Sequence, residues 1–204
     1  LPKITSSSKS AIESLTRIAD DEKYHFKTRQ FARNILGDYH DLKVDSKMEA
    51  MMKIVKEKIK DNPKEKILIY TKHPTTVDYM VENLMPYGLK ITEFKGGLTR
   101  DEKYEKIMEF KKKSQIMICT DAGAEGLNLQ FCRVLINYDL PWNPMSVEQR
   151  IGRLDRIGQQ HDMEIYSLAT KGTMEEYVVD LIINKMCCVG LVIGELPIIL
   201  FNLG

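Results

Sequence analysis

The sequence predicts an α/β fold in which a mainly parallel sheet is covered on both faces by helices. Short apolar runs that read as strands alternate with segments of helical periodicity. Each predicted strand is apolar along its whole length, which is typical of a parallel sheet buried on both faces. The chain has 204 residues, of which 43% are hydrophobic, so it is long enough for one domain with a substantial core.

Helical periodicity precedes the first predicted strand, over residues 9–60. Gly37 and Asp38 predict the end of one helix in this stretch. Ser46, with Glu49 three residues later, predicts a capping box at the start of the next helix. That helix carries an apolar face that we expect to fill the core: Met48, Met51, Met52, Val55 and Ile59.

The predicted strands lie at residues 66–71, 90–94, 115–119, 134–138 and 164–168. Helices are predicted at residues 75–84, after Thr99 as a cap, and at residues 174–186 with Thr173 as a cap. We divide the chain into a helical connecting segment or appendage (1–45), the sheet-bearing domain (46–186) and an apolar tail (187–204). Both ends of the sequence read as cut, so we expect a piece of a longer protein.

Composition excludes several classes of function. The formal net charge is +1, so any nucleic-acid binding must come from a local arrangement of charge. The four cysteines form no C-x-x-C pair, which indicates a reducing compartment without structural zinc. No signal peptide is visible, and the apolar stretch 189–200 is shorter than the roughly 20 residues of a membrane span. We therefore expect a cytoplasmic protein with no membrane partner.

Three arginines recur every third residue in the stretch from Gln149 to Gln159. Arg150, Arg153 and Arg156 would lie along one side of a helix with some drift, which is also what a solvated helix face would show. The two glycines of this stretch weaken a helix by about 1 kcal/mol each, which is unusual for a plain surface helix. The guanidinium fork suits a phosphate, so we interpret the stretch as reaching a nucleotide phosphate.

Two further polar stretches, residues 120–130 and 139–144, each follow a predicted strand. Ligands of parallel sheets bind beyond the carboxyl ends of the strands, so we expect both stretches and the arginines to converge on one edge. The small residues of 120–130 allow a close backbone approach, although a crossover turn needs them equally. We expect Asp121 or Glu125 to pair with Arg153 or Arg156.

The remaining candidates are weaker. Gly96 and Gly97 follow the second strand and fit either a turn or a backbone contact to a phosphate. Trp142 lies in a proline-flanked bend and is predicted to be a packing anchor, although it could stack on a base. Asn143 precedes a helix that is predicted to start near Pro144. The sequence contains neither a G-x-x-x-x-G-K-[ST] phosphate loop nor a strand-terminal Asp-Glu pair for magnesium.

Residues 139–144 and 148–159 closely resemble the Swi/Snf-like branch of superfamily-two helicases, nearest to the bacterial HepA/RapA type. The second of these runs resembles helicase motif VI, residues 120–130 resemble motif V, and residues 66–71 resemble motif IV. Motif V reads Ala-Gly-Ala-Glu-Gly, which favours the HepA-like side over the chromatin remodellers. The resemblance implies the second, C-terminal RecA-like lobe of an ATP-dependent double-stranded-DNA translocase.

The resemblance also assigns roles to residues. Arg156 first, and then Arg153, would act on the γ-phosphate of ATP during hydrolysis. Nucleotide binding or coupling would involve Gln149, Arg150, Gly126, Glu125 and Asn128. DNA contact would involve Thr71, Lys72, Gly96, Gly97, Thr120 and Gly123. ATP and Mg²⁺ would be held mainly by a first lobe that this sequence does not contain.

The implied partners are double-stranded DNA and the N-terminal RecA-like lobe of the same protein. RNA polymerase or another DNA-bound protein is a further candidate partner, and a nucleoid-associated location would follow if the source is bacterial or archaeal. We expect the chain alone to be inactive. Two alternatives stay open: a lobe of a strand-separating DNA or RNA helicase, and a non-catalytic interaction module on a RecA-like scaffold.

Overall fold

Five parallel strands form the sheet of the computed structural model, which describes residues 6–41, 45–124, 126–156, 159 and 161–181. The strands are β1 (Ile67–Thr71), β2 (Ile91–Phe94), β3 (Ile116–Thr120), β4 (Val134–Asn137) and β5 (Glu164–Ser167). Their order across the sheet is β2-β3-β1-β4-β5, and every neighbouring pair is parallel. The predicted fold class is confirmed, and each predicted strand matches an observed one to within one residue at either end.

The described helices are α1 (Ser8–Asp20), α2 (Phe26–Asp41), α3 (Ser46–Asp61), α4 (Pro74–Leu84), α5 (Arg100–Lys112), α6 (Asp121–Ala124) and α7 (Pro144–Ile151). A 3-10 turn, Met85–Tyr87, follows α4, and residues 174–181 are helical. Thr99 caps α5 in a capping box with Glu102, and the Thr173 hydroxyl accepts from the Glu175 N–H, 3.2 Å away. Both predicted caps are therefore confirmed. Residues 182–186 of the last predicted helix lie outside the described residues.

The core lies on both faces of the sheet, because side chains of a strand alternate between faces. Ile67 and Ile69 of β1 pack into one cluster with the methionines of α3 and the apolar side of α4. Leu68 and Tyr70 of the same strand pack into the other cluster, which includes Phe110 of α5. The three central strands β1, β3 and β4 are fully buried, as their unbroken apolar sequences predict.

Helix α2 runs without a break through Gly37 and Asp38, so the predicted stop was wrong. A glycine inside a helix costs only about 1 kcal/mol. Continuing the helix brings Leu36 and Tyr39 against the small cluster that α1 and α2 share. Tertiary packing therefore outweighs the local signal.

The cap of α3 is Asp45, one residue before the predicted Ser46, so that prediction was also wrong. The Asp45 carboxylate accepts from the Met48 N–H at 3.0 Å, while Ser46 is the first helical residue. A carboxylate at this position also complements the positive end of the helix dipole, which a serine hydroxyl does not. The apolar face of α3 is confirmed, with Met51 and Val55 fully buried.

Among the described residues, no helix combines the length and the apolar character that crossing a membrane requires.

Candidate functional site

Helix α7 places Arg150, the first of the three arginines, at the carboxyl edge of the sheet. The helix starts at Pro144, as predicted, and ends at Ile151. The Asn143 side chain caps it by accepting from the Met145 N–H at 3.1 Å. Gly152 is the C-cap, so the remaining arginines of the stretch lie in the turns and bends that follow rather than on a continuous helix face.

Arg150 is 3% exposed and uses its whole guanidinium group inside the protein. Nε and Nη2 donate to the two carboxylate oxygens of Asp121 at 2.7 and 2.8 Å. Nη1 donates to Asn137 Oδ1 at 2.8 Å and to the main-chain oxygen of Asp139 at 2.9 Å. The guanidinium carbon lies 4.7 Å from the centre of the Tyr70 ring. Arg150 therefore ties together the ends of β1, β3 and β4, and has no free donor fork for a phosphate.

This clamp corrects the predicted ion pair. Asp121 pairs with Arg150, not with Arg153 or Arg156. The physical reason is the end of α7: Arg150 lies in the last turn of the helix, whereas Arg153 and Arg156 lie beyond the Gly152 C-cap. Glu125, the other predicted carboxylate, lies outside the described residues.

A cleft of about 350 Å³ opens beside the Arg150–Asp121 pair. Its lining comes from the end of β1, from α6 and from α7 with the turn that follows: Tyr70, Asp121, Ala124, Ser146, Gln149, Arg150 and Arg153. Arg153 is partly buried, and among the described residues it has no carboxylate partner. The cleft thus presents a guanidinium group that no carboxylate of the described residues neutralises.

Arg156 lies outside this lining. Its side chain is exposed, and its Nε donates to the Gly152 main-chain oxygen at 3.1 Å. That bond holds the base of the guanidinium. The structure therefore places Arg153 in the cleft and Arg156 on the surface beyond it.

Asp139, at the end of β4, is a buried acid to which sequence reasoning gave no role. Its Oδ2 accepts from the Ser6 hydroxyl at 2.7 Å, the Thr71 hydroxyl at 2.6 Å and the Lys72 N–H at 3.0 Å. Its Oδ1 accepts from Lys47 Nζ at 3.3 Å. We call these five residues the Asp139 network. The sequence signal was present, since a charged residue directly follows an apolar strand, but its partners are 67 to 133 positions away.

The Asp139 carboxylate is ionised at neutral pH. Burial opposes the charge, but the Lys47 ammonium and the hydrogen bonds from Thr71, Lys72 and Ser6 outweigh it, so the pKa of Asp139 lies below its ordinary value. Lys47 also donates to Glu175 at 2.8 Å, which links the network to the helical segment 174–181. A buried lysine between two acids could not be inferred from its place in a helix rich in lysines.

The predicted DNA-contacting residues divide into two groups. Gly96 and Gly97 are exposed, and Lys72 is partly buried with its N–H donating to Asp139. Thr71 and Thr120 are buried, the first bonded to Asp139 and the second accepting weakly from the Gly123 N–H at 3.4 Å. All six lie at the last residue of β1 or β3 or just beyond β1, β2 or β3, so they share the carboxyl edge of the sheet.

Gly123 fits its position because a side chain there would collide with the neighbouring strand. A Cβ atom at this residue would lie 2.8 Å from the Phe94 main-chain oxygen and 3.1 Å from the carbonyl of Lys95. The glycine therefore allows α6 to pack against the end of β2. This packing role accounts for one of the small residues of the stretch 120–130 without a ligand.

Replacing Gly123 with alanine is expected to destabilise the chain by about 1–3 kcal/mol, because backbone atoms must move to admit the methyl group. Gly96→Ala is the matched control, since its Cβ would meet Ala122 Cβ at an ordinary 3.6 Å. Urea unfolding of the two variants measures the difference. Equal stabilities would contradict the tight contact at Gly123.

Three other predicted positions lie away from the cleft. Asn128 is exposed and lines a separate cavity of about 720 Å³ near the amino ends of β1 and β4, together with Lys66 and Arg133. Gly126 is exposed and has a φ of +80°, which favours glycine.

Trp142 is 51% exposed, so the prediction of a packing anchor was wrong. The flanking Leu140 fills that packing position instead, in a cluster with Val147 and Val178.

Residues 46–158, more than half of the chain, match the family described as the helicase conserved C-terminal domain. The chain belongs to this family. Among curated proteins, this helicase C-terminal domain is 46% identical over 136 residues to the uncharacterized ATP-dependent helicase YqhH of Bacillus subtilis (strain 168). It is 39% identical over 123 residues to the RNA polymerase-associated protein RapA of Vibrio atlanticus (strain LGP32).

These matches cover 67% and 58% of the chain, but the chain spans only 24% of YqhH and 13% of RapA. The resemblance to Swi/Snf-like superfamily-two helicases is confirmed by these relatives. The activity of the whole protein is a separate question, since most of each relative lies outside the aligned part.

Solved structures show the same fold. The C-terminal part of the Fun30 ATPase domain has a TM-score of 0.62 at 23% identity, covering 85% of this chain and 64% of that chain. The Hef helicase domain of Pyrococcus furiosus has a TM-score of 0.65 at 21% identity, covering 87% of this chain and 40% of that chain. At these identities the likeness establishes the fold. The five-stranded sheet and its helices form a RecA-like lobe.

The cleft lining offers hydrogen-bond donors as well as a carboxylate that is already paired. Arg153 and the exposed Gln149 offer donors to a phosphate, whereas the Asp121 carboxylate in the same lining is already held by Arg150. Among the described residues, no group of three or more His, Cys, Asp or Glu side chains could hold a metal ion.

Proposed function

We propose that this chain is the second RecA-like lobe of an ATP-dependent double-stranded-DNA translocase. The observation that supports this most is Arg153, which lines the cleft without a carboxylate partner among the described residues, next to the rigid Arg150–Asp121 clamp. An unneutralised guanidinium beside a fixed one suits a phosphate that comes from outside the lobe.

In this proposal the three arginines have different roles. Arg150 is committed to its four internal bonds and couples motif V to the end of α7. Arg153 and Arg156 neutralise charge that develops on the transferred phosphoryl group. Gln149, exposed in the same cleft, positions the nucleotide or the facing lobe.

ATP supplies the phosphoryl group, and Mg²⁺ neutralises its oxygens, while a first lobe holds both. The residues of this chain bind the exposed side of the nucleotide when the two lobes close. Closure also excludes water from the cleft, which strengthens the interaction of each arginine with the phosphate.

In this proposal, DNA contacts the same carboxyl edge of the sheet. Gly96 and Gly97 offer exposed main-chain groups after β2, and Lys72 offers a cation after β1. Thr71 and Thr120 are buried, so their contribution is to hold the ends of β1 and β3 rather than to touch DNA. β1 and β3 are neighbours in the sheet. In this proposal, DNA contact that displaces the end of one strand also displaces the end of the other, and with it motif V, which follows β3.

The complete protein is expected to hydrolyse ATP faster when double-stranded DNA is added, whereas the isolated chain is expected to show no ATP hydrolysis above background. The reason is that the chain contains no phosphate loop and no Asp-Glu pair for magnesium. A phosphate-release assay with and without DNA measures both. Robust hydrolysis by the isolated chain would contradict the proposal.

A triplex-displacement assay separates translocation from its main alternative. Displacement of a third strand without separation of the duplex supports a translocase, whereas duplex unwinding supports a strand-separating helicase. The RapA relatives are named as RNA polymerase-associated, so RNA polymerase is the partner we propose to test first, by co-purification with the complete protein.

A further inference from the structure

Asp139 connects the segment before α1 with the sheet-bearing part and with the arginine clamp. Asp139 is 3% exposed, and its carboxylate receives donors from the segment before α1, from α3 and from the end of β1. Its main-chain oxygen, on the other side of the same residue, accepts from Arg150 Nη1 at 2.9 Å. Asp139 therefore contacts both the N-terminal segment, through Ser6, and the arginine clamp, through Arg150.

The other contacts between residues 6–41 and the sheet-bearing part are of two kinds. The Ser6 and Ser7 hydroxyls lie 2.9 and 3.0 Å from the Thr76 hydroxyl in the interior, whereas two further pairs are exposed. Lys9 pairs with Glu82 at 2.6 Å, and the Thr75 hydroxyl donates to Glu13 at 2.7 Å, both on the surface. Exposed pairs of this kind contribute about 0–1 kcal/mol. Ser6, in contrast, is 1% exposed, and bonds to the Asp139 carboxylate.

We propose that Asp139 is a positioning residue, whose buried carboxylate fixes the end of β4 against Ser6 of the N-terminal segment and Lys47 of α3, so that its main-chain oxygen holds Arg150 beside the cleft. The N-terminal segment is then a working part of the lobe, because it supplies one of the four donors that fix Asp139. This role in turnover rests on the proposed function, but the positioning of Arg150 does not.

Asparagine at position 139 tests the geometry, because an amide cannot replace this carboxylate in either orientation. With its oxygen toward Ser6, Thr71 and Lys72, its NH₂ faces the Lys47 ammonium; turned over, the NH₂ faces three donors. In the chain itself, we expect Asp139→Asn to speed hydrogen exchange of the Arg150 Nε–H by roughly tenfold, the factor for one lost charged hydrogen bond.

The comparison site is the backbone amide of Ile118 in the central strand β3, which reports global opening. A positioning role raises exchange at Arg150 more than at Ile118. The same factor at both sites, or no change at Arg150, would overturn the proposal. Asp162→Asn, at an exposed acid, is the matched control and should change neither.

Ser6→Ala keeps the proposal testable if Asp139→Asn does not fold, because it leaves the Asp139–Lys47 pair intact. We expect it to speed exchange at Arg150 by roughly threefold, a smaller effect because one donor of four is lost. Ser14→Ala removes a buried hydroxyl of α1 that donates to Ser10, away from Asp139, and should leave Arg150 unchanged. Equal effects of the two serine variants would contradict a path through Asp139.

In the complete protein, Asp139→Asn should lower kcat for ATP about tenfold and change the KM by less than about twofold, since Arg150 acts in the closed state rather than in nucleotide capture. If the wild-type protein hydrolyses no ATP, the proposed function fails, and the exchange measurement still decides whether Asp139 positions Arg150.

Discussion

Replacing Arg156 with alanine in the complete protein is expected to lower ATP turnover by about 10³–10⁵-fold while leaving DNA binding largely intact. The expectation follows from proposing that this guanidinium stabilises charge on the transferred phosphoryl group, a contribution that is made only in the transition state. Arg156 is exposed and makes one bond to the Gly152 oxygen, so its loss should change the free energy of unfolding by less than about 0.5 kcal/mol.

Three measurements on one preparation decide this prediction: steady-state kcat, DNA affinity at a fixed salt concentration, and the unfolding midpoint. Arg153→Ala should also lower turnover, because Arg153 lines the cleft. Arg156→Lys retains the charge but not the planar fork, and is expected to recover little activity. Arg100→Ala, at an exposed residue in the first turn of α5, is the matched control. Parallel loss of turnover and DNA binding would point to a role in folding instead.

Replacing Arg150 with alanine is expected to destabilise the chain by about 3 kcal/mol, a much larger stability effect than at either neighbouring arginine. The variant leaves Asn137 Oδ1 and the Asp139 oxygen without their donor, and it leaves a cavity over the Tyr70 ring. Asp121 contributes less to the loss, because its side chain is 45% exposed and water can replace the guanidinium.

For a chain of this size, 3 kcal/mol corresponds to a fall in Tm of about 6–12 °C. Urea unfolding of the isolated chain measures the free energy, with Arg153→Ala as the matched control one turn away. Arg150→Lys should recover only part of the stability, because a single ammonium cannot reach Asp121, Asn137 and the Asp139 oxygen together. A change below about 1 kcal/mol in Arg150→Ala would mean that the clamp is not a structural element.

The fold could be predicted from the sequence because each strand carries its own signal. The run from Ile67 to Thr71 is apolar and ends before Pro74, which allows a buried parallel strand and little else. Thr99 with Glu102 marks the start of α5 for the same local reason. Where a local signal competed with packing, as at Gly37, packing decided, because a glycine costs less than the contacts that the continuing helix makes.

The candidate site could be predicted only as a set of segments. Three polar stretches following strands had to meet at the carboxyl edge, and their meeting is confirmed by the bonds of Arg150 to Asp121 and to the end of β4. The sequence did not predict which arginine would be buried, because arginines at every third residue occur on a helix face as well as in a turn. The end of α7 at Ile151 decided it.

The sequence by itself determined the α/β class, the apolar strands and the segments that supply the site, since these depend on local periodicity and composition. Only the tertiary structure decided that Arg150 is a clamp, that Arg153 lines the cleft, and that Asp139 gathers Ser6, Lys47 and Thr71 around one carboxylate. The reason is physical: hydrogen bonds and ion pairs in a buried site depend on distances of about 3 Å between residues far apart in the chain, and no local pattern encodes them.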